Sequence, residues 1–343
     1  MTPKDLVTLS VSARILANVE ALNMAESVGN VSRHRRAPVV VGDGGKYWVV
    51  YVPAVSGESL AHHFQRILTN IAKSMSLPVT KMDEAGYFLK YASNDVIKSY
   101  YFEEVGKVIE LNDRCKIETE LVRTSVVADV GGFLYTDKLV KRTSRARFGY
   151  MIPALDAIKQ GAATSYPQLH TRYSPEVRER EQALYYVESG SSLYTFTTVV
   201  GVSDIAELEY CKEQDPELVK QKSSRIEASL KALIALLDSM EFGAKRSRYM
   251  PQWDVKSLLI AVSKGPVEFV TSPSVHPGYV ERTVKRSEVV SKALGVRVSL
   301  FMYDSEGIAI RKDLEKKVAV YDSHTEALSA AVEEVLKQFT PKT

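Results

Sequence analysis

Residues 243–249, with the sequence Gly-Ala-Lys-Arg-Ser-Arg-Tyr, have the composition of a turn that binds a polyanion. The segment follows a predicted amphipathic helix, and the exit of a helix favours one or two cations because of the helix dipole. Lys245, Arg246 and Arg248 exceed that need, and Gly243 has no Cβ to keep a ligand away from the backbone. We therefore predict that Gly243, Lys245, Arg246 and Arg248 contact the phosphates of a nucleic acid.

A second basic segment, residues 30–36, follows the first predicted strand and has the sequence Asn-Val-Ser-Arg-His-Arg-Arg. Cationic side chains in such a loop bind phosphate groups without distinguishing base sequence. A solvated surface loop is the alternative interpretation, because exposed runs of charge are common in proteins. Under the first interpretation the contacts are Asn30, Arg33, His34 and Arg35.

The third candidate is a predicted helix start at residues 56–59, Ser-Gly-Glu-Ser. Free N–H groups and the positive end of the helix dipole suit a phosphate there, but Ser56 is also typical of an ordinary helix N-cap. His62 and His63 are adjacent and face different directions on a helix, and no third ligand follows at a metal spacing, so we predict no metal site. The candidate phosphate contacts are Ser56, Gly57, Ser59, His62 and Arg66.

Two further groups of cations are less specific. Lys141 and Arg142 belong to a basic run that leads into a predicted strand, where charges also protect a strand edge from pairing. His170 and Arg172 lie next to Tyr173 in a polar segment at residues 161–182. A base could stack on the aromatic ring, or these residues could share a loop tip by chance.

The composition is that of a globular protein with distributed charge. Hydrophobic residues make up 45% and charged residues 25% of 343 residues, which fits one core with large insertions, or two domains. The net charge of +3 is too small to indicate nucleic-acid binding by itself. A signal-peptide pattern and an apolar run of about 18 residues are both absent, which predicts a cytoplasmic protein without a membrane partner.

The two cysteines and the known sequence motifs indicate neither a metal site nor catalysis. Cys115 and Cys211 lack Cys-x-x-Cys spacing, which argues against a disulfide framework and a zinc ribbon and predicts a reduced intracellular protein. Residues 42–46 lack the spacing of a phosphate loop and the helix that follows one, so we predict no cofactor. The catalytic signatures Gly-x-Ser-x-Gly, His-Glu-x-x-His and Ser-His-Asp are absent as well.

The predicted core elements follow the order strand, helix, strand, strand, helix, strand. They lie at 6–20, from Ser56, at 138–153, at 183–189 and 192–202 with a break at residues 189–191, from a capping box at Ser224 and Glu227 to Gly243, and at 256–263, followed by a helix at 279–294, a strand at 297–303 and a helix from Ser323. This split βαβ order is that of ferredoxin-like folds and of the RNA recognition motif, which are α+β folds. The RNP1 signature is absent, so loops and helix ends rather than the sheet face are expected to hold any RNA.

The predicted core domain spans residues 6–303 and carries three insertions. We expect a hairpin insertion at about 20–55, a helical or mixed insertion at about 77–137 and a projecting, thumb-like loop at 161–182. Within the first insertion, alternating apolar residues at 38–53 flank Asp43-Gly44, a dipeptide typical of a hairpin turn. Residues 304–343 form a C-terminal extension with a helix.

An ordered set of segments resembles the DevR family, whose relevant members are archaeal Cascade backbone subunits of type I-A CRISPR systems. The resemblance extends from about residue 8 to about 303, and no single motif carries it. The matching segments are Ala-Asn-Val-Glu-Ala-Leu-Asn at 17–23, the basic stretch at 30–38, Val-Pro-Ala-Val-Ser-Gly-Glu-Ser-Leu-Ala-His at 52–62, residues 182–196 and residues 243–251.

The resemblance implies a modified RNA recognition motif fold without enzymatic activity. It implies that copies of the protein assemble side by side along a CRISPR guide RNA as a filament, hold its sugar-phosphate backbone and leave its bases free to pair with target DNA. Other Cascade subunits would be further partners. The RNA-binding roles of the family would fall on residues 30–36, 56–66 and 243–248, and a thumb that closes over RNA or a neighbouring copy would lie within 161–182.

Two other classes of function remain open from the residues. An RNA-processing endoribonuclease on a ferredoxin-like fold would use histidine as acid and base, and His34, His62 and His170 are candidates. A metabolic enzyme with a ferredoxin-like core is the third class, for which no cofactor motif is present. Incubation of repeat RNA with the pure protein distinguishes the first of these from a binding protein, because only a nuclease yields a discrete product.

Overall fold

The computed structural model describes residues 5–172, 183–239, 242–307 and 317–339. The strands of these ranges are β1 (Leu6–Glu20), β2 (Met24–Val28), β3 (Val31–His34), β4 (Arg36–Asp43), β5 (Lys46–Pro53), β6 (Phe133–Tyr135), β7 (Val140–Arg142), β8 (Ala146–Phe148), β9 (Ala163–Arg172), β10 (Ala183–Gly201), β11 (Gln252–Gly265), β12 (Arg297–Asp304) and β13 (Ala319–Val320). The helices are α1 (Gly57–Ser74), α2 (Lys81–Ala85), α3 (Asn94–Val96), α4 (Phe102–Val105), α5 (Arg114–Thr124), α6 (Val126–Gly131), α7 (Leu155–Lys159), α8 (Pro216–Asp238), α9 (Tyr279–Leu294) and α10 (His324–Leu336).

The central sheet is built around β1, which confirms the predicted α+β class. β1 pairs antiparallel with β10 on one side and with β11 on the other, and β12 pairs with the outer edge of β11. The strand predicted at 138–153 forms instead as the short strands β7 and β8, and β8 pairs antiparallel with β10. The four inner strands therefore lie in the order β11, β1, β10, β8. Within the described ranges, no helix is both long and apolar enough to cross a bilayer.

One face of the sheet packs against helices α1 and α8. Side chains alternate along a strand, and Leu9, Val11, Ala13 and Ile15 of β1 point to this face with no exposed surface. They share a hydrophobic core with Leu60, Phe64, Ile226 and Leu230 of the two helices. The apolar residues of α1, which repeat with the helical period, thus pack against the alternating apolar residues of β1, as the sequence predicted.

The opposite face of the sheet is covered by the chain between β11 and α9. Ser10 and Ser12 of β1 have no exposed surface. The Thr271 N–H donates to Ser10 Oγ at 3.0 Å, Ser12 Oγ lies 2.8 Å from Thr271 Oγ1, and Ser274 Oγ donates to the Ala13 carbonyl at 2.6 Å. A base therefore cannot stack on β1, because the protein itself fills this face.

Helix α8 begins earlier than the sequence analysis predicted. The Asp215 carboxylate caps the N–H groups of Glu217 and Leu218, and Pro216 occupies the first turn, where it is favoured. The capping box predicted at Ser224 and Glu227 is therefore wrong, since both residues lie inside the helix. The helix ends at Asp238 rather than at Gly243.

Helix α10 starts where the sequence predicted. Ser323 Oγ accepts the Glu326 N–H at 3.1 Å and caps the helix. Its buried residues Leu328 and Val335 join the main core beside α8 and β11. The C-terminal helix is thus packed onto the same core as the central sheet.

The helices between α1 and β6 are joined to α8 by a buried charge cluster. The cluster consists of Glu118 of α5, Asp129 of α6, Arg142 of β7 and Arg225 of α8, and all four side chains have no exposed surface. Arg225 Nη1 lies 2.9 Å from Asp129 Oδ2, and Arg142 Nη1 lies 3.1 Å from Glu118 Oε1. Arg142 Nη2 also contacts Asp129 Oδ1. Arg142 therefore has a structural role in place of the predicted contact with RNA.

Cys115 and Cys211 form a disulfide, so the expectation of two reduced cysteines is wrong. The bond joins α5 to the loop before α8 across 96 positions of sequence. The prediction failed because spacing along a chain does not report distance when the intervening residues fold back. The same two segments also meet through Glu118 Oε2, which accepts the N–H groups of Glu209 and Tyr210 at 2.8 and 2.9 Å.

Candidate nucleic-acid interface

The turn of residues 243–249 is held by contacts with two other segments. The Ala244 N–H donates to the Leu22 carbonyl at 2.9 Å, and the Gly243 N–H donates to His63 Nε2 at 3.2 Å. Gly243 adopts a φ of 118°, and a Cβ at this position would lie 2.5 Å from Leu22 Cδ2. Glycine is therefore required both by the backbone conformation and by the close approach of Leu22.

His63 supports the turn in its neutral form. Its Nδ1 lies 2.7 Å from the Ser59 carbonyl oxygen and donates to it, which leaves Nε2 free to accept the Gly243 N–H. Burial lowers the pKa of His63, and nearby cations including Arg66 lower it further. The neutral tautomer that the hydrogen bonds require is thus favoured near neutral pH.

The start of α1 is buried under β8. Ser56 is 2% exposed, and its Oγ accepts the Ser59 N–H at 3.2 Å as an N-cap. A Cβ at Gly57 would lie 2.3 Å from the Phe148 carbonyl oxygen, so only glycine fits beneath the strand. Ser56 and Gly57 therefore position the helix, whereas His62 and Arg66, further along α1, are exposed.

One short loop, residues 20–23, connects all three predicted segments. Asn23 Oδ1 accepts the Ser56 N–H at 2.9 Å, and the Asn23 carbonyl accepts the Arg35 N–H at 2.8 Å. The neighbouring Leu22 carbonyl accepts the Ala244 N–H. The turn, the start of α1 and the basic segment after β1 are therefore brought together by backbone and amide contacts of a single loop.

A cleft lies between α1 and the turn. It is lined by His63, Arg66, Asn70, Gly243 and Arg246, and we term it the α1–turn cleft. Arg246 Nη2 donates to the Ser239 carbonyl at 3.2 Å at the exit of α8. Cations from two separate elements thus face one opening, an arrangement suited to a phosphate group.

A second groove runs between β3, β5 and β10. Arg33, Arg35 and Arg36 line it together with Tyr51 and Tyr186, and we term it the β3–β10 groove. Its two carboxylates, Glu26 and Glu188, reduce the net positive charge, and the Arg33 guanidinium lies 3.8 Å from Glu26 at the surface. Cations that alternate with aromatic rings are typical of grooves for single-stranded nucleic acid.

His34 and Asn30 lie beside this groove in different environments. The His34 side chain has no exposed surface, and its Nε2 lies 2.6 Å from Glu20 Oε1. It therefore cannot reach a phosphate or act as a nuclease base in this arrangement. Asn30 is exposed, and its side-chain amide donates to the Leu184 carbonyl at 3.2 Å.

His170 joins strand β9 to the turn. Its ring stacks on Tyr185 with centroids 5.3 Å apart, and its Nε2 contacts the Tyr249 hydroxyl. Arg248 Nη1 lies 3.2 Å from the Tyr185 hydroxyl. Arg172 ends β9 opposite Ala183, so residues 163–172 of the predicted thumb form this strand. Residues 173–182, the C-terminal part of the predicted thumb, lie outside the described ranges.

Lys141 lies in a different part of the chain. It belongs to β7, which pairs with β6 in a separate two-stranded sheet and packs against α5. Lys141 is exposed, and its N–H is 3.3 Å from the Tyr210 hydroxyl in the loop before α8. The structure thus brings together the candidates on α1, the turn and residues 30–36, and places the Lys141–Arg142 pair in β7, against α5 of the helical insertion.

Several residues at the interface were missed by the sequence analysis. Asn23 connects two segments through its contacts with Ser56 and Arg35, which follow it by 33 and 12 positions. No local sequence pattern indicates such a role. Tyr51 and Tyr186 line the groove, and they gave no distinct signal, because several other aromatic residues lie in the same strands. In the part of the chain that the structure describes, no group of three or more potential metal ligands occurs.

The structure is that of an α+β protein. Its basic clefts are formed by loops and by helix α1, at the edge of a sheet whose second face is covered by the chain itself. The family model of the CRISPR-associated negative auto-regulator DevR/Csa2 matches residues 11–284. The chain therefore belongs to the DevR/Csa2 family, as its sequence resemblance indicated.

Named relatives agree with this membership, and a solved structure shows a similar fold. A CRISPR-associated aCascade subunit Cas7/Csa2 of Saccharolobus solfataricus is 37% identical over 310 residues, which cover 88% of this chain and 94% of that protein. A second Cas7/Csa2 protein of the same organism is 35% identical over 303 residues, covering 86% and 91%. One chain of a CRISPR RNA-guided surveillance complex, captured before nicking, has a similar fold with a TM-score of 0.51 at 12% identity, covering 95% of this chain and 99% of that chain.

Proposed function

We propose that this protein is a non-catalytic backbone subunit of a type I-A Cascade complex that binds CRISPR guide RNA in the cytoplasm. Copies assemble side by side along the guide as a filament, beside other Cascade subunits, and leave the guide bases free to pair with target DNA in antiviral defence. The observation that carries this proposal is the convergence of Arg66, Arg246 and the glycine turn on one cleft, held together by loop 20–23. Membership of the DevR/Csa2 family and the names of the relatives support it.

We infer that the core is a modified RNA recognition motif. The strand order β11, β1, β10, β8 supports this inference, because it is the fourth, first, third, second order of a split βαβ unit. The modification is the cover between β11 and α9, which fills the face on which such motifs stack bases. Recognition then falls to loops and helix ends at the edge of the sheet.

Binding at these clefts would be independent of base sequence. Lys245, Arg246 and Arg248 on the turn and Arg66 on α1 present cations, which attract phosphates wherever they lie along a strand. Base pairing by the guide, rather than side chains of the protein, would then select the target. The β3–β10 groove offers aromatic surface beside cations and would accommodate an unpaired nucleotide.

Charge reversal in the turn is expected to weaken RNA binding for all sequences. In Lys245→Glu with Arg248→Glu, the affinity should fall at least roughly tenfold, and the slope of log affinity against log salt should decrease by about two, since each cation that contacts a phosphate contributes about one. Filter binding at several salt concentrations, with two unrelated guide-length RNAs, measures both quantities.

A matched variant distinguishes this local effect from the loss of net charge. Lys98→Glu with Lys292→Glu makes the same change in net charge at exposed positions of the helical insertion and of α9. Its RNA affinity and salt slope should remain close to those of the unmodified protein. Equal losses in the two double variants would remove the turn from the interface.

A further inference from the structure

A buried ion pair lies directly behind the loop that connects the candidate RNA-binding segments. Glu20 at the end of β1 and His34 at the end of β3 have no exposed side-chain surface, and His34 Nε2 lies 2.6 Å from Glu20 Oε1. The Tyr194 hydroxyl donates to the same oxygen at 2.6 Å. Glu20 Oε2 accepts the Leu22 N–H at 2.8 Å, so this carboxylate fixes the conformation of the loop itself.

The surroundings of His34 favour the charged imidazolium. Its Nδ1 lies 2.8 Å from the Arg35 carbonyl oxygen, which can only accept, and its Nε2 lies 2.6 Å from a Glu20 carboxylate oxygen. The Nε2 contact is an ion pair by distance and lacks hydrogen-bond geometry, so it favours a second ring proton through charge. Burial alone would lower the pKa of His34, but the Glu20 carboxylate raises it above its ordinary value, and Glu188 adds to this effect. Burial likewise would raise the pKa of Glu20, and His34 holds it below its ordinary value.

The pair is adjacent to each of the three segments at the interface. Glu20 holds Leu22, whose carbonyl accepts the Ala244 N–H of the turn. His34 holds the Arg35 carbonyl, which also accepts the Ala54 N–H just before α1, and the His34 N–H donates to Glu188 on β10. Removal of either charge therefore disturbs the turn, the start of α1 and the basic segment together.

Backbone strain next to Glu20 supports a positioning role. Val19 has a φ of 53°, a left-handed conformation that is unfavourable for a β-branched residue. The register of β1 with β10 shifts between Ala17 and Glu20, which turns Glu20 towards the interior. Such strain persists only where surrounding contacts determine the conformation, and it is concentrated at functional sites.

We propose that Glu20 and His34 are positioning residues whose ion pair fixes loop 20–23 and thereby sets the spacing of the turn from α1 on which RNA binding depends. This inference rests on the proposed function. The charged and titratable groups that face the pair are Tyr194 and Glu188 of β10, and the neutral His63 lies beyond the turn. Arg35 is adjacent in sequence and borders the groove.

The pH range in which the ion pair stabilises the loop follows from the shifted pKa values of His34 and Glu20. The raised pKa of His34 gives stability that is complete below its ordinary value of 6.5 and is lost as pH rises through the folded-state value. The lowered pKa of Glu20 gives stability that is complete above its ordinary value of 4.5 and is lost as pH falls through the folded-state value. The loop is therefore fixed most firmly between pH 4.5 and 6.5 and loosens as pH rises through the folded-state pKa of His34.

The state of His34 can be measured on the unmodified protein without RNA. Nitrogen chemical shifts of the His34 ring should show the doubly protonated form in the majority at pH 6.5, where a histidine with the ordinary pKa is half neutral. Hydrogen exchange at the amides of Ala244, Ser56 and Arg35 should be slow, and it should accelerate together in Glu20→Gln and in His34→Gln. A neutral His34 ring at this pH, or unchanged exchange in both variants, would overturn the positioning role.

RNA affinity provides the functional readout. Glu20→Gln and His34→Gln should each weaken binding by roughly tenfold, and the double variant should lose little more than either single variant, because the two residues act as one unit. His324→Gln, at the partly buried start of α10, removes a histidine paired with Asp238 away from the loop and is the control, which should keep full affinity. If the unmodified protein does not bind RNA, the proposed function fails, while ring protonation and hydrogen exchange still decide the positioning role. If it binds and both variants bind equally well, only the positioning role fails.

Discussion

Asp129→Asn is expected to lower the free energy of unfolding by about 3 to 5 kcal/mol. The carboxylate lies between the guanidiniums of Arg142 and Arg225 and also accepts the Ala206 N–H at 3.0 Å, with no exposed surface on any of the three charged side chains. An amide of the same size carries no negative charge, so Glu118 becomes the one carboxylate of the cluster beside two buried guanidiniums, and the amide NH2 group faces other donors. Urea unfolding monitored by circular dichroism measures the loss.

An exposed ion pair provides the control for this prediction. Lys73 and Glu84 lie 2.9 Å apart with nearly half of each side chain exposed, so Glu84→Gln should change the free energy of unfolding by no more than about 1 kcal/mol. Burial alone would raise the pKa of Asp129, but Arg142 and Arg225 hold it below its ordinary value of 3.8. The contribution of Asp129 is therefore complete above that value and is lost as pH falls through the folded-state pKa. Equal effects of the two substitutions would show that the cluster is not a major source of stability.

Reduction of the disulfide is expected to have an effect of similar size. Closure of a loop of 96 positions restricts the unfolded chain, and the chain-entropy estimate for such a loop is about 4 to 5 kcal/mol. Cys115→Ser with Cys211→Ser should therefore unfold at a lower urea concentration than the oxidised protein. Reductant should shift the unmodified protein towards the variant and leave the variant unchanged.

A thiol assay decides whether this prediction applies. The unfolded, unreduced protein should show no free thiol, because both cysteines of the sequence are in the bond. Two free thiols per chain would contradict the disulfide. A disulfide with no difference in unfolding between oxidised and reduced protein would instead show that the buried cluster and Glu118 already hold α5 to the loop before α8.

Elements with a strong local pattern were predictable from sequence. Strand β1 and helix α1 were located because their apolar residues repeat with the periods of a strand and a helix, and Ser56 and Ser323 were identified as caps. The start of α8 was misplaced because Asp215 and Pro216 lie in an acidic stretch that lacks apolar periodicity. Strand β3 was predicted as part of a basic loop at residues 30–36, and no strand was predicted at β2, since β2 is mostly exposed and its sequence shows no apolar alternation.

The interface was only partly predictable for a related reason. The turn was identified because glycine and three cations in seven residues are unusual at a helix exit. The contributions of Glu20 and Asn23 could not be identified, because both act through residues distant in sequence. Arg142 illustrates the opposite error: its charge indicated a surface role, yet the carboxylates that bury it come from α5 and α6, which no local pattern connects to β7.

Under the proposed function, the support of RNA is separate from the reading of its sequence. The covered sheet face excludes base stacking along β1, and the cations lie on loops and α1 at the edge of the sheet. This arrangement supports backbone contacts that are equivalent for any guide. It also explains why a modest net charge of +3 is compatible with RNA binding, because the cations are concentrated in two clefts.

The most direct test of guide-RNA backbone binding is a titration of the pure protein with several guide-length RNAs of unrelated sequence, with the RNA recovered and sized afterwards. We predict affinities that agree within a few-fold, a steep common dependence on salt and intact RNA at the end of the incubation. Strong preference for one base sequence, or a discrete cleavage product, would contradict a non-catalytic backbone subunit and favour an RNA-processing endoribonuclease.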